Sequence, residues 1–506
     1  MGFYDIHFTH GNAEFGKDFI AKRDEGGETL QYSFQSKAGD IKQRGWRDEI
    51  QGQMLESVIS PRTHPNFDAE LHHQTVLVLT GRLTGNAPQS VRDFADTLTA
   101  IGKRPMIKWD RQDLIAAFMN YGLDGVHRST AQGLANYGQF YTLYGRAVSG
   151  LITEREIERH SHSWVEGLDD VDKRILIASI EAETIASKCV ENDRHYEAFK
   201  AYLGLHRALL YALYAEADSS RAQKLTELHP GIFKSIHRLS DTYLNGVREM
   251  WTKRKYNLLS VIDGPGLIVT YPIHCAHILE ISGLKYFLDE EKERKDTIGF
   301  LEKFVSKEPG AAHIVSDRYA VSLVAAVLAL RHAGRIGAAR QLLNDAAVWL
   351  CDRYEKGSGL AAFEATVEAE VATLLGYPFE FIDVRKHPSS FLATAICDLA
   401  AYVGDARLYE GIVNDINAAG IIPQYWQPCD SIGQFLLHGD DIIQYPTRIN
   451  YSGEFMPFEE YQFAEHIKRE TRSFRLAGKI GATSYLALSL FLRDRYFPTL
   501  WSSIGT

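Results

Sequence analysis

The sequence predicts an α+β multidomain chain, in which a mixed sheet flanked by helices over residues 1–125 precedes a large all-α region over 126–506. Three observations carry this. The chain has 506 residues, room for more than one unit of the usual ~150 residues. Up to about residue 125, short runs rich in β-branched and aromatic residues alternate with helix-spaced ones, whereas Ala-, Leu- and Tyr-rich helical spacing dominates afterwards. Hydrophobic residues make up 45%, charged 24% and aromatic 11%, which excludes extended disorder and a collagen-like or disulfide-stapled chain.

In the first region, Phe19 to Arg23 reads as a strand, Asp24 to Glu28 as a turn and Thr29 to Lys37 as its antiparallel partner. That second strand alternates: Leu30, Tyr32 and Phe34 point one way, and Gln31, Ser33, Gln35 and Lys37 form an opposite, polar face. Ile41 to Ile59 has helical spacing through Ile41, Trp46, Ile50, Leu55 and Val58. TVLVLT at Thr75 to Thr80 is an apolar run of the kind buried on both faces of a sheet. Ser90 to Ile101 reads as a helix capped by Ser90, Met106 to Trp109 as a strand, and Asp110 or Arg111 to Tyr121 as a closing helix. Gly122 to Thr130 is the expected linker. Beyond it, helices are expected around 131–150, 170–190, 193–217, 231–256, 269–290, 312–334, 336–354, 359–376, 388–403, 405–419, 458–476 and 479–495. Helical-repeat texture is visible in Ala333 to Leu350, but no fixed period confirms a repeat array, so a solenoid or bundle is expected. The proline- and aromatic-rich stretch 421–457 reads as a loop-rich insertion that could divide the helical region in two.

The formal charge of −10 speaks against a protein devoted to coating a polyanion. Residues 1–125 carry 14 Lys and Arg against 17 Asp and Glu, a net −3, so neither region is basic as a whole. Five scattered cysteines without a CxxC pair fit a reducing compartment. No basic start followed by an apolar run marks a signal peptide, and strongly apolar charge-free stretches such as Tyr319 to Leu330 fall well short of the ~20 residues of a membrane span. A cytoplasmic protein without a membrane partner is expected.

The chemistry-bearing pattern is Glu14-Phe15-Gly16-Lys17-Asp18, followed seventeen residues after Asp18 by Gln35-Ser36-Lys37. An acid at the start of one strand and Gln-x-Lys on its hairpin partner bring Asp18, Gln35 and Lys37 together, with Gln35 and Lys37 on one face. Phosphodiester hydrolysis needs such a set: hard oxygen donors for a divalent cation, and a lysine that positions water or stabilises developing charge. Gly11 to Asp18 also mimics a phosphate loop, but Asp18 stands where a metal-binding hydroxyl is needed. His274, Cys275 and His277 lack a second pair at zinc spacing and read as core residues, and the pairs His160/His162 and His72/His73 as solvated loop residues. HExxH and GxSxG are absent. EEKERKD at Glu290 to Asp296 reads as a solvated helical face.

On GxxxFGKD at Gly11 to Asp18, FQSKAG at Phe34 to Gly39 and the αβ order that follows, the chain resembles the PD-(D/E)xK nuclease superfamily, most closely its restriction-endonuclease-like, Mrr-type branch with Gln in the (D/E)xK element. The resemblance covers roughly residues 10–121. It implies a restriction-endonuclease-like fold and a Mg²⁺- or Mn²⁺-dependent endodeoxyribonuclease, with Asp18, Gln35 and Glu14 as metal ligands and Lys37 as the catalytic lysine. It also suggests a role in prokaryotic antiviral defence. DNA is the implied substrate and RNA stays open, because the cation acts on the phosphate and not the sugar. An amide in place of a carboxylate removes one negative charge from the cation's ligands, so a weak site is expected.

Lys42, Arg44 and Arg47, together with Lys253-Arg254-Lys255 between Trp251 and Tyr256, are candidate nucleic-acid contacts. The helical region is expected to control or target the nuclease as a sensor, through oligomerisation or a protein partner. The competing expectation is a helical protein-binding scaffold carrying a catalytically silent nuclease-like domain.

Overall fold

The structure, a computed structural model, describes residues 2–9, 17–59, 65–121, 131–165, 170–216, 221–255, 257–258, 267–362, 365–376, 389–424, 455, 458, 481 and 483–493. It divides into two compact units, Met1–Leu134 and Ala135–Thr506.

The first unit is built on strands β1 (Tyr4–Phe8), β2 (Phe19–Glu25), β3 (Glu28–Lys37), β4 (Ile41–Lys42), β5 (His72–Leu79), β6 (Leu83–Thr84) and β7 (Ile107–Trp109). Five of them form one mixed sheet in the order β1-β2-β3-β5-β7. The first two pairings are antiparallel, while β3 with β5 and β5 with β7 are parallel. The β2–β3 hairpin closes on Gly26 and Gly27, whose φ values of +59° and +88° suit the two-residue turns that match strand twist. Parallel pairing of β3 with β5 requires a crossover, supplied by helix α1 (Gln43–Gly45), a π-helical turn (Trp46–Ile50) and helix α2 (Gln51–Ile59). Helix α3 (Ala87–Ala100) crosses from β6 to β7, and α4 (Arg111–Tyr121) follows β7.

Directly opposed residues share a sheet face, so the register assigns two faces. Leu77 and Leu79 of one face pack with Trp46, Ile50, Met54, Val58, Phe94 and Leu98 of the covering helices. On the other face Leu30, Tyr32 and Val76 pack with Phe3, Phe34, Val78, Ile107 and Trp109.

Three expectations change here. Strand β1 was not foreseen, although Tyr4, Ile6 and Phe8 alternate with Asp5 and His7; its pairing with β2 carries a register irregularity between Tyr4 and His7, with Asp5 at φ +51°. The polar face of β3 is covered along most of its length, since Gln31 and Ser33 are at most 1% exposed and Gln35 is 5% exposed, and it opens only at the half-buried Lys37. The helix expected over Ile41 to Ile59 starts after a two-residue strand and contains the π turn.

The second unit is helical: α5 (Ala131–Val148, beginning just before the division), α6 (Glu154–His160), α7 (Val171–Glu191), α8 (His195–Ala215), α9 (Arg221–Lys253), α10 (Leu267–Leu288), α11 (Glu291–Lys307), α12 (Ala320–His332), α13 (Ile336–Glu355), α14 (Val367–Leu375), α15 (Phe391–Val403), α16 (Ala406–Ala418) and α17 (Thr483–Leu492). Ser389–Ser390 and Ile422–Pro423 form a two-residue parallel ladder. Helix α8 packs against α7, α9 and α17, and α10 against α9, α11, α12 and α17. Close approach of α10 to α12 depends on Gly283, where a Cβ would stand 2.4 Å from the Ala325 carbonyl oxygen.

Helix α9 starts ten residues before its expected position and runs through Pro230. Helix α6 was missed, although Thr153 and Glu156 form a capping box at its start. The helix expected from residue 312 begins at Ala320 and the one expected from 359 begins at Val367. The helix expected over 458–476 lies outside the described residues, as does most of the 421–457 stretch. No helix among the described residues is long and apolar enough to cross a membrane.

Candidate functional site

Asp18 enters β2 clamped by its own backbone. Its N–H donates to the Phe34 carbonyl at 2.8 Å and its carbonyl accepts the Thr9 N–H at 3.0 Å. Its half-buried side chain turns toward β3, where Oδ2 accepts the Ser36 backbone N–H at 2.6 Å. Gln35 Nε2 donates to the same carboxylate, 3.3 Å from Oδ1 and 3.2 Å from Oδ2. Lys37, two residues on and therefore on the face of Gln35, is half-buried at the last position of β3. Asp18 and Gln35 are thus in contact, and Lys37 ends the same strand face. Glu14, the fourth expected residue, lies outside the described residues.

The donors are hard oxygens, the kind a divalent cation of the Mg²⁺ type takes. As the amide stands, Gln35 presents nitrogen to Asp18. Its oxygen can join the carboxylate around a shared cation only after the amide turns, which exchanges the two long Nε2 contacts for ligation and leaves the 2.6 Å Ser36 anchor in place.

Behind this pair lies a buried polar seam that the sequence reading missed. Ser33 Oγ is 2.9 Å from Ser57 Oγ of α2 and 2.7 Å from His73 Nε2 of β5. Gln31 Nε2 donates to the Ala21 carbonyl at 2.9 Å, and its Oε1 accepts the Asp68 N–H at 3.1 Å. Burial, with Lys17 and Lys103 nearby, pushes His73 down to about 4, so the ring is neutral at pH 7. Lys17 is fully buried and burial brings its ammonium down to about 8, with Glu56 acting in the opposite direction. Ser33 is 0% exposed, so the Ser33–His73 pair cannot meet a substrate and serves to fix β3. The available signal was the period: Gln31, Ser33 and Gln35 are consecutive same-face polar residues on a strand that pairs on both sides. His72 and His73 therefore belong to a strand and not a loop, and His160, also expected in solvent, is buried 2.8 Å from Glu181.

Among the candidate nucleic-acid contacts, Lys42, Arg44 and Arg47 are exposed in the first unit, with Arg44 paired to Asp48 at 3.1 Å. Lys253, Arg254 and Lys255 are exposed in the second, with Lys253 paired to Glu249 at 2.5 Å. Trp251 is 2% exposed and its indole N–H donates to Glu308 at 2.5 Å, so it is not available to stack on a base. Tyr256 lies outside the described residues.

Among the described residues a dense, largely buried charged constellation lies in the second unit and had no counterpart in the sequence reading. Arg493, 0% exposed, pairs with Glu280 and Glu154 and donates to Tyr196 Oη at 2.5 Å. Glu280 also accepts from Tyr196 at 2.5 Å and from Ser322 at 2.6 Å. Lys200 pairs with Glu158 at 2.6 Å and donates to the Leu490 and Phe491 carbonyls at 3.1 and 2.9 Å, capping the C-terminal end of α17. Arg318 completes the pairing of Glu158. Burial opposes ionisation of Glu154, but Arg493, ahead of Lys200 and Arg318, holds its carboxyl well below the usual range. Three carboxylates against three cations make a self-neutralised network that ties α6, α8 and α10 to Arg318 and Arg493, a charged lock in which loss of one partner strands a desolvated charge. His237, Asp289 and Glu293 also converge. Lys285 already occupies Asp289 Oδ1, and Thr297 donates to Oδ2.

Comparison of the chain with family models, curated proteins and solved structures returned no match.

Proposed function

We propose that the chain is a metal-dependent endonuclease that hydrolyses phosphodiester bonds, DNA first among its substrates, through Asp18, Gln35 and Lys37 in a restriction-endonuclease-like first unit. The observation that carries this reading is the contact of Asp18 with Gln35 and Ser36 across β2 and β3, with Lys37 following on the same face. The sheet order supports it, because an antiparallel hairpin leading through a helical crossover into parallel strands puts the acid and the Gln-x-Lys element on neighbouring strands.

Asp18 and, after its amide turns, Gln35 would hold Mg²⁺ or Mn²⁺, which when bound polarises the phosphate and acidifies water. The Lys37 ammonium offers three N–H donors to the nucleophilic water or to the charge that develops on the phosphoryl oxygens. Overall, the water oxygen forms a new bond to phosphorus, the bond to the leaving oxygen breaks, and that oxygen takes up a proton. Gln35 contributes no charge, so the site is weakly acidic and cation binding is weak. The helical second unit, acidic in net charge, suits a protein contact or a second copy better than DNA.

The test is cleavage of supercoiled plasmid, and of single- and double-stranded DNA and RNA, with Mg²⁺ or Mn²⁺. Wild-type protein cuts, and Asp18→Ala and Lys37→Ala each lose at least a hundredfold in rate. Cutting by both variants at the wild-type rate, or no cutting by wild type with either cation, would sink the reading and leave a scaffold with a silent domain.

A further inference from the structure

The turn that follows Lys37 is fastened to the turn that follows β5. Thr80 N–H donates to the Lys37 carbonyl at 3.1 Å, and the Ile41 N–H donates to the Arg82 carbonyl at 2.9 Å. Gly39 N–H donates to Thr80 Oγ1 at 2.8 Å, and Arg82 N–H donates to Asp40 Oδ1 at 2.8 Å. Four hydrogen bonds therefore join residues 37–41 to residues 80–82.

Gly81 lets the two backbones touch. A Cβ there would stand 2.3 Å from the Gly39 carbonyl carbon and 2.5 Å from the Asp40 nitrogen, atoms that cannot rotate away. Gly39 itself has φ +76°, a conformation that favours glycine.

At its Ile41 end the joint reaches the core, where Ile41 is 6% exposed. Gly39, Asp40, Thr80 and Arg82 are all exposed, so hydrophobic contact does not explain the hydrogen bonds nearest Lys37. The joint fixes the backbone of the residue that ends β3, and that residue is Lys37. A lysine carries four rotatable side-chain bonds, so its ammonium can be aimed only if its backbone is held.

We propose that Thr80, with Gly81, is a positioning residue for Lys37, acting through the Gly39 N–H and the Lys37 carbonyl. The inference rests on the nuclease reading above. Thr80→Val removes the acceptor for Gly39 N–H while keeping the side-chain shape, and Thr80→Ser keeps the acceptor. Hydrogen–deuterium exchange of peptides spanning 37–41 in the full chain reads the clamp without reference to activity, and nicking kinetics with Mg²⁺ read its consequence.

In Thr80→Val, exchange rises about five- to tenfold, as expected for one lost hydrogen bond at an exposed turn. kcat falls by a similar factor while KM holds. Thr80→Ser keeps wild-type exchange and kcat. If wild type cuts and Thr80→Val changes neither exchange nor kcat, or if Thr80→Ser falls as far as Thr80→Val, the positioning role is overturned and the nuclease reading stands. If wild type cuts nothing although exchange responds as stated, the nuclease reading fails and the role of the clamp in chemistry fails with it.

Discussion

Removing Arg493 should unlock the second unit. The guanidinium is 0% exposed and bonds Glu280 and Glu154 while donating to Tyr196. After Arg493→Met, Glu280 keeps Tyr196 and Ser322, and Glu154 keeps the Tyr319 hydroxyl at 3.1 Å. Buried Glu158 and Glu280 and the partly buried Glu154 then face two buried cations, Lys200 and Arg318. Breaking one side of a buried pair costs about 3–5 kcal/mol, chiefly because the orphaned charge stays desolvated. Met fills much of the volume, so packing adds little. At about 2 °C per kcal/mol for a unit of this size, melting falls by roughly 6–10 °C. The double change Arg493→Met with Glu280→Gln restores the balance of charges and should recover at least half of that loss. Urea titration followed by circular dichroism, with thermal melting as a second probe, measures both variants. A single-variant loss below about 1 kcal/mol, or a double variant less stable than the single one, would refute the electrostatic account of the lock.

Two further outcomes follow from the first unit and the buried histidines. Gln35→Glu sets a second carboxylate 3.2–3.3 Å from Asp18, where the amide nitrogen now donates, so without divalent cation the variant melts below wild type. With millimolar Mg²⁺ it gains more than wild type does; a thermal shift equal in the two proteins would count against a shared cation site. Acid should weaken the fold above pH 4. Burial pushes His73 down to about 4 and His206 down to about 3, whereas unfolded histidine titrates near 6.5. Between those values the unfolded chain binds more protons, so stability is lost as pH falls from about 6.5. The urea midpoint at pH 5 should lie below that at pH 7, and His73→Gln should narrow the gap; equal midpoints in wild type would show that the rings are not held neutral.

The hairpin that carries Asp18, Gln35 and Lys37 was legible because every cue agreed: alternation over Leu30 to Lys37, a Gly-Gly turn, and polar residues at every second position. What alternation could not say is that the polar face would be covered, because a polar stripe under a helix and one in water have the same period. The difference lies in Ser57, Asp68 and His73, which meet Gln31 and Ser33 from 24 to 40 positions away in sequence. Strand β1 alternates through Tyr4, Ile6 and Phe8, yet it is five residues long and largely exposed, so its apolar side chains mark no buried face. The charged lock of the second unit was illegible for another reason. Glu154 and Arg493 are 339 positions apart, and no pattern within one helix relates them. A weaker signal existed: Lys200 in AFKAYL and Glu280 in ILEISG are single charges set among apolar residues on both sides, which places them toward a packed interior and demands a partner.

The same reasoning bears on why a nuclease site would keep an amide at position 35. Glutamate there would repel Asp18 whenever no cation is bound, and the hairpin would carry that strain through its resting state. Gln35 instead closes onto Asp18 with two contacts above 3.1 Å, while Ser36 N–H holds the same carboxylate at 2.6 Å. The resting pair is therefore satisfied, with its geometry set by the shorter bond and its releasable part confined to the longer ones. A cation must displace that contact and receives only one formal charge from the two side chains, so binding gains strength when a phosphodiester adds its own negative charge. On the nuclease reading, cation and substrate bind cooperatively, and the free protein spends most of its time in the closed, hydrogen-bonded arrangement.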